Sequence, residues 1–217
     1  MKIFYLVLGP FMTNTYVAYD EKTMNAILID PSFQPEEIEK AMDKMKVHLK
    51  KIVLTHAHVD HIAGLEEVRE SHPEAKVYMS RIDAPYMKDP AKNLSYMLPE
   101  KVVCSDADVY VKEGDHITLD SMDFKVLETP GHTPGSISLY AEKEKLVFTG
   151  DSLFEGSVGR TDFPGGSMKV LLAGIRKELF TLPDDVTVLP GHGNRTTIGR
   201  EKASNPFLSG AYDEADF

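Results

Sequence analysis

Short apolar runs separated by polar turns fill the first thirty residues and predict strands at 3–8, 15–19 and 26–29. A helix is predicted to begin at Pro35, because two acidic residues follow it and apolar residues then recur at helical spacing. The apolar face of this helix consists of Ile38, Ala41, Met42 and Met45. The pattern therefore changes from strands to a helix within the first 45 residues.

The alternation continues with a strand at 51–54, a helix that ends before Pro73, and a strand at 75–79. The apolar stripe of that helix is formed by Ile62, Leu65 and Val68. Between residues 86 and 108 the pattern loses its period and contains several prolines. We expect this segment to be an irregular surface excursion, and it is a candidate lid or substrate-side loop.

The second half repeats the order of strands followed by a helix. Strands are predicted at 117–119, 124–127, 137–140, 146–148 and 186–189. Ser167 is expected to cap a helix with an apolar face formed by Val170, Leu171, Ile175 and Leu179. Alternating strands and helices predict an α/β fold with helices covering the sheet faces, in a single domain over residues 1–217.

Composition narrows the function classes. The net charge of -10 argues against nucleic acid as a partner, because phosphate binding requires a basic surface. A single cysteine, Cys104, excludes an intrachain disulfide and indicates a reducing compartment. The apolar run at the N-terminus is too short for an export signal, and no stretch has membrane-spanning length. We therefore expect a soluble cytoplasmic protein with neither a membrane nor a nucleic-acid partner.

Metal-ligand side chains cluster directly after the predicted strand at 51–54. Residues 55–61 read Thr-His-Ala-His-Val-Asp-His, which places His56, His58, Asp60 and His61 within six positions. Three imidazoles and a carboxylate in one turn are typical of metal ligation.

Three more apolar runs are followed by a glycine and then by a histidine or an aspartate, which are metal-ligand side chains. Gly131 precedes His132, Gly150 precedes Asp151, and Gly191 precedes His192. Ligands in α/β folds bind beyond the carboxyl ends of strands, so these positions can converge, and the glycines would let the backbone turn sharply. The seven candidate ligands are enough for two metal ions that share one carboxylate. His48, His72 and His116 have no such companions and are predicted to be exposed or capping residues.

The signature His-x-His-x-Asp-His at 56–61 resembles that of the metallo-β-lactamase superfamily, and the other ligand positions of that family match His132, Asp151 and His192. The resemblance implies an αββα sandwich with two mixed sheets covered by helices. It also implies one metal held by His56, His58 and His132, a second held by Asp60, His61 and His192, and Asp151 as the bridge.

Within the superfamily, three stretches are similar to the hydroxyacylglutathione hydrolases (glyoxalase II) and their short bacterial relatives. They are Thr-Pro-Gly-His-Thr-Pro-Gly-Ser at 129–136, Gly-Asp-Ser-Leu-Phe at 150–154 and Val-Gly-Arg-Thr-Asp-Phe-Pro-Gly-Gly at 158–166. Residues 190–208 resemble the short relatives most. Full-length glyoxalase II has a further helical segment whose basic residues grip glutathione, whereas residues 212–217 here are acidic. The resemblance therefore implies hydrolysis of small acyl thioesters, such as S-lactoylglutathione, more directly than it implies glutathione as the carrier.

The expected nucleophile is a hydroxide that bridges two divalent metal ions, since such ions lower the pKa of bound water. Zinc is the first expectation, with iron or manganese as alternatives. Asp60 is predicted to bind metal and orient the hydroxide. Arg160 is the candidate ligand for a substrate carboxylate, with a structural pair to Asp162 as the alternative. Tyr86 and Tyr96 are not assigned to the site.

Three other functions stay open. A persulfide dioxygenase would hold one iron at His56, His132 and Asp151 and would resemble this chain in the same motif. A lactonase or β-lactamase is a weaker alternative, because residues 158–166 point to thioesters. From another class, the chain could be a noncatalytic metal-binding module. The oligomeric state stays open as well.

Overall fold

The computed structural model describes residues 1–209, which form two six-stranded sheets, a short hairpin and five α-helices. The first sheet contains, in spatial order, β1 (Lys2–Leu8), β2 (Thr13–Tyr19), β3 (Asn25–Ile29), β4 (His48–Val53), β5 (Lys76–Ser80) and β6 (Val109–Val111). Strands β1 to β3 pair antiparallel, and β3 to β6 pair parallel.

The second sheet is mostly antiparallel. Its strands are β7 (His116–Leu119), β8 (Met122–Glu128), β9 (Ile137–Ala141), β10 (Leu146–Gly150), β13 (Thr187–Pro190) and β14 (Thr196–Thr197), in the spatial order β14-β13-β10-β9-β8-β7. The β10–β13 pair is parallel. Two short strands, β11 (Leu153–Phe154) and β12 (Ser157–Val158), form the separate hairpin.

The helices are α1 (Pro35–Met45), α2 (Val59–Ile62), α3 (Leu65–Ser71), α4 (Met168–Gly174) and α5 (Ile198–Ser204). A π-helical turn at Ile175–Leu179 continues α4, and the excursion contains 3₁₀ turns at Ala84–Lys88 and Ser95–Met97. No helix within residues 1–209 is long and apolar enough to cross a membrane.

Successive side chains of a central strand point to opposite faces of its sheet, and their contacts show which layer lies on each face. In β3, Ile27 and Ile29 pack between the sheets with Phe124 and Phe148, whereas Leu28 packs on the helix side with Ile38. On the far side of the second sheet, a third apolar cluster joins its strands to α4 and α5. The predicted αββα sandwich of two mixed sheets is therefore confirmed.

The helix predicted around Ile62, Leu65 and Val68 is interrupted. Helix α2 ends at Ile62 and α3 begins at Leu65, because Gly64 lies against the backbone of the loop after β3. Its amide donates to Pro31 O at 3.0 Å, and a Cβ at Gly64 would lie 2.3 Å from Ser32 O. This contact is long-range, so the local apolar pattern does not show it.

Several short elements are missing from the sequence prediction: β6, the β11–β12 hairpin, β14 and α5. Strands of two or three residues are too short to show a period. Thr197 does cap α5, since its hydroxyl accepts from Arg200 N. Ser167 caps α4 as predicted, by accepting from Val170 N.

The excursion at 86–108 has only two short 3₁₀ turns after residue 83, in agreement with its aperiodic pattern. It is nevertheless anchored, because Tyr86, Met87, Leu94 and Cys104 are buried. Burial raises the pKa of the Cys104 thiol to about 12, so Cys104 is a core residue. The lid role and the single-domain organisation stay predictions.

Candidate metal centre

The strand ends singled out in the sequence converge at one edge of the two sheets. Because β8 and β10 both pair antiparallel with β9, and β10 pairs parallel with β13, these three strands run in the same direction. His132, Asp151 and His192 follow their carboxyl ends, and the His56–His61 turn follows β4 in the other sheet. All seven predicted ligands lie together there, in three overlapping groups. Within each group the ligand atoms lie within 4.8 Å of one another. One group, His56, His61 and Asp151, shares a histidine with each of the other two.

The first group is His56, His58 and His132, all of them buried. The rings of His56 and His58 have centroids 4.9 Å apart, and those of His56 and His132 lie 4.8 Å apart. His58 Nδ1 lies 2.8 Å from His132 Nε2. Three imidazoles whose nitrogens face one point match the donor set of a zinc-type site.

The second group is Asp60, His61 and His192. Asp60 Oδ2 lies 3.4 Å from His61 Nε2 and 3.1 Å from His192 Nε2. One carboxylate and two imidazoles therefore surround a second point next to the first.

Asp151 lies between the two groups. Its Oδ2 is 3.5 Å from His132 Nε2 in the first group and 3.3 Å from His192 Nε2 in the second. Its Oδ1 is 3.3 Å from His61 Nε2. This position is the one that a bridging carboxylate requires.

Hydrogen bonds on the outer side of the rings orient the histidines. His61 Nδ1 donates to Asp30 Oδ2 at 2.9 Å, and His132 Nδ1 donates to Arg160 O at 2.6 Å. His192 Nδ1 donates to Phe11 O at 3.1 Å. With Nδ1 engaged, each ring turns Nε2 toward the centre, as is usual for metal-bound histidines.

Two of the supporting residues were not predicted. Asp30 accepts from the amide and the hydroxyl of Thr55 as well as from His61, so it links the end of β3 to the ligand turn. Its sequence signal was an acid directly after an apolar strand, the same signal that identified Asp151. Thr13 donates to Asp60 Oδ2 at 2.8 Å, and no local pattern distinguishes it from other strand threonines.

Asp83, also not predicted, joins the two turns that carry the first group. Its carboxylate accepts from Thr133 Oγ1 at 2.6 Å, from Gly135 N at 2.7 Å and from Ala57 N at 3.3 Å. Burial raises its pKa although these hydrogen bonds favour the charged form. Asp83 thus connects the segment just before the excursion to both ligand turns.

Gly150 and Gly191 are each required for a different structural reason. Gly150 has φ +47°, a conformation that favours glycine, and a Cβ there would lie 2.3 Å from Thr55 Oγ1. Gly191 was predicted to allow a sharp turn, but its φ is not positive. A Cβ at Gly191 would instead lie 2.2 Å from Asp151 Oδ1, so glycine is needed there because of a close approach.

The side chains of the centre compensate one another electrostatically. Burial, reinforced by neighbouring imidazoles, lowers the pKa of His58 to about 3 and that of His56 well below its usual range. Burial also opposes charge on His192, but hydrogen bonding and attraction to Asp151 and Asp60 raise its pKa to about 10.

For the carboxylates, neighbouring positive charge outweighs the effect of burial on the pKa. Burial would raise the pKa values of Asp60 and Asp151, but the charge of His61 and the hydrogen bonds from His192 hold both well below the usual range. The pKa of His61 is raised well above its usual value by Asp60 and Asp151, despite its burial. The two carboxylates, Asp151 buried and Asp60 half-buried, therefore require positive charge at this point.

Divalent cations fit that requirement. Three buried candidate ligand atoms make no hydrogen bond to the described residues: His56 Nε2, His61 Nε2 and Asp151 Oδ1. Buried polar atoms are costly without partners, and metal ions would supply them. The clusters of histidine and aspartate therefore indicate a divalent-metal site.

Arg160 forms an ion pair with Asp162, which was the structural alternative to binding a substrate carboxylate. Its Nε and Nη2 donate to the two carboxylate oxygens of Asp162 at 2.9 and 2.7 Å, and the guanidinium lies 4.4 Å from the ring centre of Phe163. The pair is exposed at the edge of a cleft of about 600 Å³ beside the ligands.

The histidines predicted to lie outside the site do so: His72 pairs with Glu39, His116 pairs with Asp123, and His48 is exposed.

Comparison with known proteins agrees with this geometry. Residues 8–192 match the family model of the metallo-beta-lactamase superfamily. The chain is 34% identical to the hydroxyacylglutathione hydrolase GloC of Haemophilus influenzae, over 96% of this chain and 99% of the relative. The crystal structure of the BLEG-1 B3 metallo-beta-lactamase is 37% identical with a TM-score of 0.91, over 96% of this chain and 100% of that one. The di-iron-bound form of TTHA1623 is 35% identical with a TM-score of 0.84, over 94% and 100% of the two chains.

Proposed function

This chain belongs to the metallo-beta-lactamase superfamily, and from that premise we propose that it hydrolyses small acyl thioesters, S-lactoylglutathione among them. The observation that supports this most is the pair of ligand groups with Asp151 between them, at the wall of an open cleft. The relative GloC, named a hydroxyacylglutathione hydrolase, supports the choice of thioesters. The partner is then a small molecule, with neither nucleic acid nor a membrane involved.

The residues would divide the work as the resemblance implied. His56, His58 and His132 would hold one divalent ion, Asp60, His61 and His192 the other, and Asp151 would bridge them. When bound, two such ions make hydroxide available from water at neutral pH and polarise the carbonyl oxygen. In the overall step a C–O bond forms and the C–S bond breaks, which yields a carboxylate, a thiol and one proton.

Asp60 is suited to orient the attacking water. Its carboxylate is held by Thr13 and lies beside His192, and its pKa is held well below the usual range. It would therefore accept a hydrogen bond from water rather than donate a proton. Asp30 and Asp83 would act as positioning residues through the ligand turns.

Zinc is our first proposal for the metal, with iron or manganese as alternatives, because imidazole and carboxylate accept all three. The di-iron-bound form of the relative TTHA1623 supports iron as an alternative. Persulfide dioxygenase activity is the second candidate, since the three residues it would use also meet here, with His132 Nε2 3.5 Å from Asp151 Oδ2. The relative titled a B3 metallo-beta-lactamase makes β-lactam hydrolysis a further one to test.

The test is a comparison of substrates on protein loaded separately with each metal. We expect hydrolysis of S-lactoylglutathione with two metal ions per chain, and loss of activity in chelator. His192→Ala should lower kcat/KM by at least about 100-fold, whereas His116→Ala, outside the centre, should not change it.

Other results would select other functions. Oxygen consumption on glutathione persulfide with one iron per chain would replace hydrolysis by dioxygenation. Turnover of nitrocefin alone would indicate a β-lactamase. If none of the three is turned over by the loaded protein, a noncatalytic metal-binding module is the better interpretation.

A further inference from the structure

The cleft beside the metal centre has walls that the proposed chemistry does not require. His58, Asp60, His132, Asp151 and His192 form one side of it. The rest of the wall is mainly apolar. Besides Val59, which lies between two of the ligands in sequence, the apolar residues are Phe11, Leu94, Met97, Phe154, Val158 and Phe163. These six come from the β1–β2 turn, the excursion, the β11–β12 hairpin and the loop before α4, so the fold assembles an apolar surface from four segments outside the ligand turns.

Positive charge for a carrier's carboxylates is scarce in this cleft. Of the Lys and Arg side chains in residues 1–209, Arg160 is the one that lines it. Its Nε and Nη2 donate to Asp162, and its plane lies against Phe163. Asp162 already offsets the charge of this guanidinium and occupies its bidentate edge, so the cleft offers little for a carrier with two carboxylates.

Large apolar side chains are exposed where the cleft opens. Met97 is 52% exposed and Phe11 is 43% exposed, although they lie far apart in sequence. Leu94 and Val158, deeper in the same cleft, are buried. An apolar ligand that covered Met97 and Phe11 would remove their surface from water, which is favourable.

We propose that this cleft selects thioesters by an uncharged, apolar acyl chain of several carbons, and that the carboxylates of the thiol carrier contribute little. The inference rests on the thioester hydrolysis proposed above. The acyl chain lies along Met97 and Phe163, with its carbonyl at the ligand groups.

The first experiment measures kcat/KM for acetyl, butanoyl and hexanoyl thioesters of one uncharged thiol, N-acetylcysteamine. Each methylene that becomes buried should raise kcat/KM by about threefold, up to the length at which the chain leaves the cleft. S-lactoylglutathione should be a poorer substrate than the hexanoyl ester. A flat or falling series, with S-lactoylglutathione the best substrate, overturns the inference and leaves thioester hydrolysis in place.

A variant pair locates the effect. Met97→Ser should lower kcat/KM for the hexanoyl ester by about fivefold more than for the acetyl ester, because the lost contact lies beyond the carbonyl. Met45→Ser is the matched control, since Met45 is 37% exposed on α1 and does not line the cleft. Equal effects of both variants, or equal effects on both esters, contradict the proposal.

A binding measurement separates the two proposals. Calorimetric titration of the metal-loaded protein with hexanoate and with acetate, which correspond to the products, should give at least about tenfold tighter binding of hexanoate. If hexanoate binds more tightly but no thioester is turned over, hydrolysis is wrong and the apolar site stands. Equal affinity for the two carboxylates overturns the apolar site whatever the activity.

Discussion

At the residue scale, the centre depends on carboxylates that do not themselves face the substrate. Asp30 fixes the ring of His61 and the Thr55 backbone, and Asp83 holds the turns that carry His58 and His132. Such outer hydrogen bonds set which ring nitrogen is available to a metal, and their loss typically lowers metal affinity by about 10- to 100-fold. Substitutions at these positions test the centre without removing a ligand.

Replacing Asp83 by Asn should weaken both turns. The amide keeps one acceptor but places a donor group against the donors of Thr133 or Gly135, which should cost about 1–3 kcal/mol of unfolding free energy. Metal affinity should fall by about tenfold, measured by competition with a chelator. Asp106→Asn is the control, because Asp106 is an exposed acid of the excursion that pairs with Lys88 and contacts neither ligand turn. Unchanged affinity in Asp83→Asn would mean that the turns hold their positions without it.

Replacing Asp162 by Asn tests whether Arg160 can bind substrate. The variant removes the carboxylate that engages Nε and Nη2, so the guanidinium becomes free for a substrate carboxylate. KM for S-lactoylglutathione should fall by about threefold, while KM for an uncharged thioester stays the same. Asp185→Asn, which breaks the equally exposed pair with Lys145, should change neither value. If KM for S-lactoylglutathione does not fall, Arg160 has no part in carboxylate binding.

At the scale of elements, the break between α2 and α3 positions the ligand turn. Helix α2 carries Asp60 and His61, and the turn at Gly64 packs on the loop that follows β3 and Asp30. At the interruption the amide of Gly64 donates to Pro31 O at 3.0 Å, outside the helix. The interruption therefore couples the ligand helix to the carboxylate that orients His61.

Gly64→Ala should be strongly destabilising because the added Cβ would lie 2.3 Å from a backbone oxygen. We expect a loss of about 2–3 kcal/mol in the free energy of unfolding, measured by urea denaturation. Gly174→Ala is the control, since its Cβ would meet neighbours only at 3.5 Å or more, within α4. There alanine should be neutral or stabilising by up to about 1 kcal/mol. Similar losses in both variants would show that the close approach at Gly64 is not the cause.

At the scale of the whole molecule, two sheets bring charged ligands into one buried centre whose charges must balance. Protonated His61 and His192 supply the positive charge that Asp60 and Asp151 require when the side chains are alone. Divalent ions would take over this role. Metal binding, protonation and stability are therefore linked.

Metal loading at pH 7 should release about three protons per chain, two from His61 and His192 and one from the water that becomes hydroxide. The pKa of His192 is raised to about 10 and that of His61 lies well above its usual value, so both are protonated at pH 7 and must lose a proton to bind metal. Metal affinity should accordingly fall as the pH is lowered. Calorimetric titration in buffers of different ionisation enthalpy measures the release. Release of one proton or none would mean that these two histidines are not ligands.

The sequence by itself determined the element types and the ligand chemistry. Apolar periodicity depends on neighbouring residues, so it indicated most strands, α1 and α4, and runs that end at histidine or aspartate indicated a metal site. The tertiary structure alone decided what depends on distant contacts. These are the break at Gly64, the pairing of Asp30 and Asp83 with the ligand turns, and the close approach at Gly191. The apolar cleft belongs to the same class, because its walls come from segments that only the packing of two sheets brings together.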